Sequence, residues 1–222
     1  MKPASDIWAV LPVKAFEGAK QRLSPLLSPV QRRALAEIML GEVLAALTAA
    51  RGLAGILVVT CDPRAAEMAV RAGARVTDEG ARDGHTGAVV AGLRLLMREG
   101  RAGGMLAVPG DIPAVTAAEI EAVLAAHRPA PAFTIAPARD DLGSNAVLCS
   151  PPDAVPLRFG DNSFFPHLDA ARAAGVEPTV VRQVPGIATD LDSPDDLAAF
   201  LRLPQAARTR SFAFLAAEGF SG

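Results

Sequence analysis

The run Ile7-Trp-Ala-Val-Leu-Pro-Val13 is apolar at every position, and the charged Lys14 follows it directly. A strand that is apolar on both faces is typical of parallel sheets covered by helices on each side. A second such run, Gly55–Thr60, comes after a long stretch with helical spacing, Pro29–Ala50. Strand, helix and strand in this order favour crossover units and therefore an α/β fold with a mainly parallel sheet.

Other segments of both kinds alternate along the chain until about His127. The β-rich runs are Met105–Val108, Ala132–Ala136, Ala146–Cys149 and Thr179–Val184, and the helical stretches are Pro63–Ala72, Gly87–Glu99, Thr116–His127 and Ser163–Gly175. After His127 the alternation weakens, which predicts a mixed β element in the second half. A last helix opens at Ser193-Pro194 and ends near Leu203. We predict one three-layer domain over residues 1–203 and a C-terminal tail over 204–222 that packs on it.

Composition restricts the class of protein further. The 222 residues include 24 acidic and 22 basic side chains, a balance that argues against a basic nucleic-acid binder and against an acidic disordered chain. Two cysteines, Cys61 and Cys149, exclude a disulfide framework. The first residues lack the plan of a signal peptide, and no run matches a membrane span. We predict a cytoplasmic protein without nucleic-acid or membrane partners, and a homodimer contact through the tail stays open.

Three cations, Lys14, Lys20 and Arg22, lie within nine positions after the first strand. Ligands of such sheets bind beyond the carboxyl ends of the strands, and a triphosphate needs several positive groups around it. The alternative is a solvated basic loop. Neither G-x-G-x-x-G nor G-x-x-x-x-G-K-[ST] occurs, which counts against a Rossmann dehydrogenase and a P-loop protein.

Carboxylates follow two later segments. Asp111 comes after the run Met105–Val108, next to Gly110, which permits a tight turn. An Asp at this place suits Mg²⁺, although a local turn explains it equally well. Asp190 and Asp192 point to the same side if their segment is extended, and two such carboxylates repel each other unless a cation lies between them. The next acids, Asp195 and Asp196, are interpreted as structural residues of a first helical turn.

Two polar segments occupy the second half. Gly143–Ala146 is a polar turn before a strand, and Arg158–His167 places Ser163 near the N-terminus of a helix, where free N–H groups can bind an anion. A plain turn and a helix cap are the alternatives. For His167, a structural role and a role as a ligand both stay open.

Together these motifs resemble the 2-phospho-L-lactate guanylyltransferase family of coenzyme F420 biosynthesis. The match comprises Leu11–Lys14, Ala19–Pro25, Gly110–Pro113, Gly143–Ala146, Pro151-Pro152, Phe159–His167 and Gly186–Leu197. It covers nearly the whole chain up to about Leu203. The family usually has Gly-Thr-Asn where this chain has Ser144, and the segment Gly84–Val89 replaces a Leu-Asn-x-Ala-Leu-like segment near the base pocket.

The resemblance implies a nucleotide-diphospho-sugar-transferase-like, Rossmann-like domain that transfers GMP from GTP to a phosphorylated three-carbon acid and releases pyrophosphate. The acids used in the family are 2-phospho-L-lactate, phosphoenolpyruvate and 3-phospho-D-glycerate. By similarity, the Mg²⁺ ligands are Asp111, Asp190 and Asp192; the GTP site is Leu11, Lys14, Lys20, Arg22 and Gly110; the acceptor site is Ser144, Asn145, Gly160 and Ser163; and the catalytic set is Lys14, Lys20, Arg22 and Asp111.

Two alternatives stay open at this point. The first is a related nucleotidyltransferase that uses CTP and a sugar-phosphate-like acceptor, or that transfers GMP to molybdopterin. The second is a nucleotide sensor without catalytic activity, which the three candidate metal carboxylates disfavour. The absence of a Ser-His-Asp or Cys-His set is no objection to an enzyme, because a phosphate acceptor is already ionised near neutral pH and needs no strong general base.

Overall fold

The structure is a computed structural model that describes residues 6–160 and 162–220. The first five residues, on which the prediction about a signal peptide rests, and the last two residues of the predicted tail lie outside this description. The described strands are β1 (Ile7–Pro12), β2 (Gly55–Val59), β3 (Arg75–Thr77), β4 (Gly104–Ala107), β5 (Ala132–Pro137), β6 (Ser144–Ser150) and β7 (Thr179–Val180). The described α-helices are α1 (Pro29–Ala49), α2 (Pro63–Arg71), α3 (Gly84–Arg98), α4 (Ala117–Ala126), α5 (Phe164–Ala173), α6 (Pro185–Ala188), α7 (Pro194–Leu201) and α8 (Arg210–Ala217).

The strands form one sheet with the order β3-β2-β1-β4-β6-β5-β7. Strand β1 pairs in parallel with β2 and β4, while β6 runs antiparallel to both β4 and β5. The predicted α/β class with a mainly parallel sheet is therefore confirmed, and so is the mixed element after His127. The reason for the reversal is local: β5 and β6 are joined by a short turn, and only antiparallel strands can be joined that way.

Three of the described helices begin at a capping box. Ser28, Thr116 and Ser193 each cap a helix, and each forms a capping box with the residue three positions on. Asp196 is the box partner of Ser193, so its predicted structural role holds.

Several boundaries were wrong. Strand β3 was not predicted, because its three half-buried residues form too short an apolar run. The segment Thr179–Val184 was predicted as a strand, but only Thr179–Val180 forms one. Helix α3 begins at Gly84 rather than Gly87, and α6 and α8 were not predicted.

The tail after Leu203 lies against α1. Leu215 of α8 is fully buried in the core of that face, and the hydroxyl of Ser211 donates to the carboxylate of Glu42. The domain boundary at residue 203 stays a prediction. Among the described helices, none combines the length and the apolar character needed to cross a membrane.

The polar residues lie at one end of the strands. Strands β1 and β4 have their carboxyl ends there, and because β6 is antiparallel, its first residue, Ser144, lies at the same end. Ser150, the last residue of β6, lies at the opposite end of the strands. The sheet topology therefore brings the loops after β1 and β4 next to the start of β6.

Candidate active site

A cavity of about 470 Å³ lies beyond the carboxyl end of β1. The loop after β1, helix α1 and the turn after β4 form its walls, and Lys14, Lys20, His85 and Gly110 are among its lining residues. Leu11, which the resemblance assigned to the GTP site, is fully buried in β1 and does not line this cavity. The cavity thus combines two lysines with the glycine of the turn.

Lys20 joins two of the candidate metal ligands. Its Nζ atom is 2.7 Å from Oδ2 of Asp111 and 3.4 Å from Oδ1 of Asp192, and its side chain is only 9% exposed. Burial by itself would lower the pKa of Lys20, but the charges of the two carboxylates outweigh burial and raise it. Burial opposes the charge of Asp111 as well, yet Lys20 holds the pKa of this carboxyl below its usual value. The ammonium is therefore a fixed positive charge between two carboxylates.

A second cavity, of about 440 Å³, adjoins the first, and Asp192 lines both. Its walls come from the turn between β5 and β6 and from the first turn of α7. Arg22, predicted to face the GTP phosphates, lines this second cavity instead, with its NH1 atom 3.5 Å from Oδ2 of Asp192. Arg22 belongs to the short helical turn Gln21–Leu23, and it shares the carboxylate of Asp192 with Lys20. Arg139 also lines this cavity, with its NH2 atom 3.3 Å from Oδ1 of Asp196.

Asp190 lines the second cavity and is held by Asn145. The Nδ2 atom of Asn145 donates to Oδ1 of Asp190 at 3.1 Å and to the carbonyl of Ile187 at 3.1 Å. Burial and the nearby charge of Asp111 raise the pKa of Asp190. Asn145, which the resemblance placed among the acceptor ligands, therefore orients a candidate metal ligand in this structure.

Ser144 and Ser163 are buried side by side, with their hydroxyl oxygens 3.1 Å apart. The Oγ atom of Ser144 is also 3.0 Å from Nδ1 of His167. Their chain neighbours Gly143 and Asn162 line the second cavity. The structure thus brings the two predicted acceptor serines together, and it adds His167 to them.

Gly160 is exposed and has a φ of 139°, a conformation that side chains other than glycine rarely adopt. The loop before it is fixed to α3 by Thr86, whose Oγ1 accepts the N–H of Phe159 at 2.9 Å and donates to its carbonyl at 3.2 Å. The ring of Phe159 packs between His85 and His167, with centroid distances of 4.8 and 5.1 Å. This loop therefore links the first cavity to the serine pair.

Comparison with known proteins shows the family of this chain. Residues 7–221 match the model of the family described as guanylyl transferase CofC like. The chain belongs to this family. The phosphoenolpyruvate guanylyltransferase of Rubrobacter xylanophilus is 42% identical, with 87% of this chain and 92% of the relative covered. The 2-phospho-L-lactate guanylyltransferase of Methanothermobacter thermautotrophicus is 31% identical, with 92% and 88% covered.

The CofC-like fold extends to more distant nucleotidyltransferases. A nucleotidyl transferase structure from Methanothermobacter superposes with a TM-score of 0.62 at 20% identity, covering 95% of this chain and 98% of the other. At that identity the likeness concerns the fold alone. It agrees with the expected nucleotide-diphospho-sugar-transferase-like architecture.

The candidate metal ligands of this CofC-like chain do not form a ready-made cage. Among residues 6–160 and 162–220, no group of three or more His, Cys, Asp or Glu side chains has the arrangement of a metal site. The charge of Asp111 nevertheless helps to raise the pKa of Asp190, and Asp111 and Asp192 both contact Lys20. Such an all-oxygen set fits Mg²⁺, which binds through one or two carboxylates and takes its other ligands from water and substrate phosphates.

Three residues of this CofC-like site were given no individual role from the sequence, although His85 and Thr86 lie in the segment Gly84–Val89 that the resemblance placed near the base pocket. Arg139 follows β5, so the rule that ligands bind beyond strand ends could have found it. His85 and Thr86 lie in the first turn of α3, which the sequence placed three residues too late. The Thr86 contact with Phe159 spans 73 positions, and no local pattern signals it.

Proposed function

We propose that this chain transfers GMP from GTP to a phosphorylated three-carbon acid and releases pyrophosphate. The observation that carries the proposal is the pair of cavities that meet at Asp192, with Lys14 and Lys20 in the first and Arg22 and Arg139 in the second. Two polyanions must meet in this reaction, and each cavity offers cations for one of them. Membership in the guanylyl transferase family supports the same reaction.

GTP is assigned to the first cavity and the acid to the second. The assignment of Arg22 changes accordingly: its charge faces the junction, where the acceptor phosphate meets the α-phosphorus of GTP. Arg139 is proposed as a further cation for the acid. The Arg139 side chain is 49% exposed and Asp196 is 21% exposed, so an anionic ligand can compete for the guanidinium at little cost.

Phosphoenolpyruvate is the acceptor that we propose first. The Rubrobacter relative that carries this name is 42% identical to the chain, whereas the relative named for 2-phospho-L-lactate is 31% identical. A product of GMP and one of these acids would place the enzyme in coenzyme F420 biosynthesis.

Mg²⁺ is proposed as the metal, held by Asp111, Asp190 and Asp192. When bound, it would neutralise charge on the phosphates. The chain's own residues do the rest: Lys14 and Lys20 balance the triphosphate, and Asn145 holds Asp190 in place. A phosphate with its second pKa near 6 is ionised at neutral pH, so the acceptor oxygen attacks without a general base. Catalysis then consists of orienting the reactants and balancing charge.

A nucleotide and acceptor matrix tests the proposal. Initial rates of pyrophosphate release are measured with Mg²⁺, with GTP or CTP, and with each of the three acids. Release that needs both GTP and one acid supports the proposal. Release with CTP alone would replace it by the sister reaction, and tight GTP binding without release with any acid would favour a sensor.

A further inference from the structure

His167 is a buried histidine that the proposed mechanism has not used. Its side chain is 1% exposed and packs against the rings of Phe159 and Phe133. Burial lowers the pKa of His167 to about 4, so the ring is neutral at pH 7. A neutral imidazole carries one N–H, on either Nδ1 or Nε2.

The contact with Arg158 decides which nitrogen carries the proton. The backbone N–H of Arg158 donates to Nε2 of His167 at 3.0 Å, so Nε2 must be the nitrogen with the lone pair. The proton is then on Nδ1, which donates to Oγ of Ser144 at 3.0 Å. The histidine is therefore the donor in this contact, and Ser144 is the acceptor.

The cluster of His167, Ser144 and Ser163 holds more protons than hydrogen bonds. His167, Ser144 and Ser163 bring one N–H and two O–H groups, and two hydrogen bonds connect them. The N–H fills the first bond and one hydroxyl proton fills the second. Whichever serine donates to the other, one hydroxyl proton has no acceptor within this cluster of described residues. The serine pair is thus left with a donor to offer, which is the polarity that an anion needs.

We propose that His167 is a positioning residue for the acceptor: by donating from Nδ1 to Ser144, it makes the Ser144–Ser163 pair a donor to a carboxylate or phosphate oxygen of the acid. This inference rests on the proposed function, since it deepens the account of the acceptor site. The segment that carries Arg158 also carries Gly160, another residue predicted for the acceptor site.

Two substitutions separate this role from simple packing. His167→Phe keeps an aromatic ring but removes the donor, and we expect the KM for phosphoenolpyruvate to rise about ten- to hundredfold while the KM for GTP stays within threefold. His167→Asn retains an N–H near the position of Nδ1 and is expected to restore most of the acceptor affinity. Calorimetric binding of phosphoenolpyruvate to the GTP-loaded enzyme gives a readout besides turnover.

His127 supplies the matched control. Its Nδ1 atom is 2.9 Å from Oγ1 of Thr134, and its Nε2 atom is 3.0 Å from Oγ of Ser150, but it lies at the opposite end of the strands. His127→Phe is expected to leave both KM values unchanged. An unchanged acceptor KM in folded His167→Phe, or equal losses in His167→Phe and His167→Asn, would overturn the proposal.

The tautomer itself can be measured in the wild-type chain, whether or not a variant folds. Nitrogen-15 NMR of labelled histidine is expected to show His167 neutral and protonated at Nδ1, and an Nε2 proton would refute the inference. Failure of the proposed function is distinguishable, because wild-type enzyme would then release no pyrophosphate with any acid while the NMR result would still report on the histidine.

Discussion

Replacing Lys20 by methionine tests the charge arrangement at the junction of the two cavities. Methionine keeps nearly the length of the side chain and removes the ammonium that is 2.7 Å from Asp111 and 3.4 Å from Asp192. Without a bound cation, the variant leaves Asp111 without its ion-pair partner, and among the described residues Asp192 keeps only the contact of its Oδ2 atom with Arg22 at 3.5 Å. The repulsion between the two carboxylates should destabilise the folded chain.

The magnitude follows from burial. Breaking a fully buried ion pair costs about 3–5 kcal/mol. The carboxylates of Asp111 and Asp192 are 32% and 37% exposed, so water screens part of the repulsion. We therefore expect a loss of about 1–2 kcal/mol in the free energy of unfolding. For a chain of this size, that corresponds to a fall in Tm of about 2–8 °C.

Thermal unfolding with and without Mg²⁺ is the assay. Because the divalent ion can take over the role of the ammonium, Mg²⁺ should raise the Tm of Lys20→Met more than that of the wild type. Turnover should fall by at least about a hundredfold, since a charge at the phosphates is lost. Arg33→Met, which removes only an exposed ion pair with Glu37, is the control and should change the Tm little. Equal Tm values for Lys20→Met and wild type, or equal responses to Mg²⁺, would refute the reasoning.

Four further outcomes are expected. Asp111→Asn should abolish pyrophosphate release and leave the far-UV circular dichroism unchanged, because an amide is a poorer ligand for a cation; full activity would remove Asp111 from the site. Arg139→Met should raise the KM for the acid about tenfold and leave the KM for GTP unchanged in steady-state kinetics. Thr86→Val removes both hydrogen bonds to Phe159 and should lower the free energy of unfolding by about 1–2 kcal/mol in urea titrations, with a raised KM for the acid. The pKa of His167 is about 4 in the folded chain and near 6.5 in the unfolded chain, so the unfolded chain binds more protons between these values. The contribution of His167 to the free energy of unfolding should therefore fall by about 2 kcal/mol from pH 7 to pH 5. Urea titrations at both pH values should show a smaller loss in His167→Asn.

The elements that the sequence predicted well have strong local causes. Strands β1 and β2 are continuous apolar runs, and the pair Ser193-Pro194 marks a helix start by residue type alone. Strand β3 and helix α6 were missed because they have three and four residues, too few for any periodicity to appear.

The candidate site divides in the same way. Lys20 and Asp111 follow strands β1 and β4, and parallel neighbours bring their carboxyl ends together, so a contact between these residues follows from the fold class. The serine pair could not be read so directly. Its place depends on the antiparallel register of β6, and its third member, His167, belongs to a helix 23 positions from Ser144.

Arg22 shows a second limit of sequence reasoning. It is two residues from Lys20, and charge patterning groups the two cations as one phosphate-binding set. Lys20 has a φ of 54° and precedes the helical turn that contains Arg22; Lys20 lines the first cavity, and Arg22 lines the second. The two cations therefore line different cavities, although both contact Asp192.

Product analysis tests the central claim most directly. The wild-type chain is incubated with GTP, Mg²⁺ and phosphoenolpyruvate, and the products are identified by mass spectrometry and phosphorus-31 NMR. The account predicts equal amounts of pyrophosphate and a compound in which GMP is joined to the acid through a phosphoanhydride. Guanosine diphosphate with inorganic phosphate, or unchanged GTP with all three acids in a folded, GTP-binding sample, would contradict it.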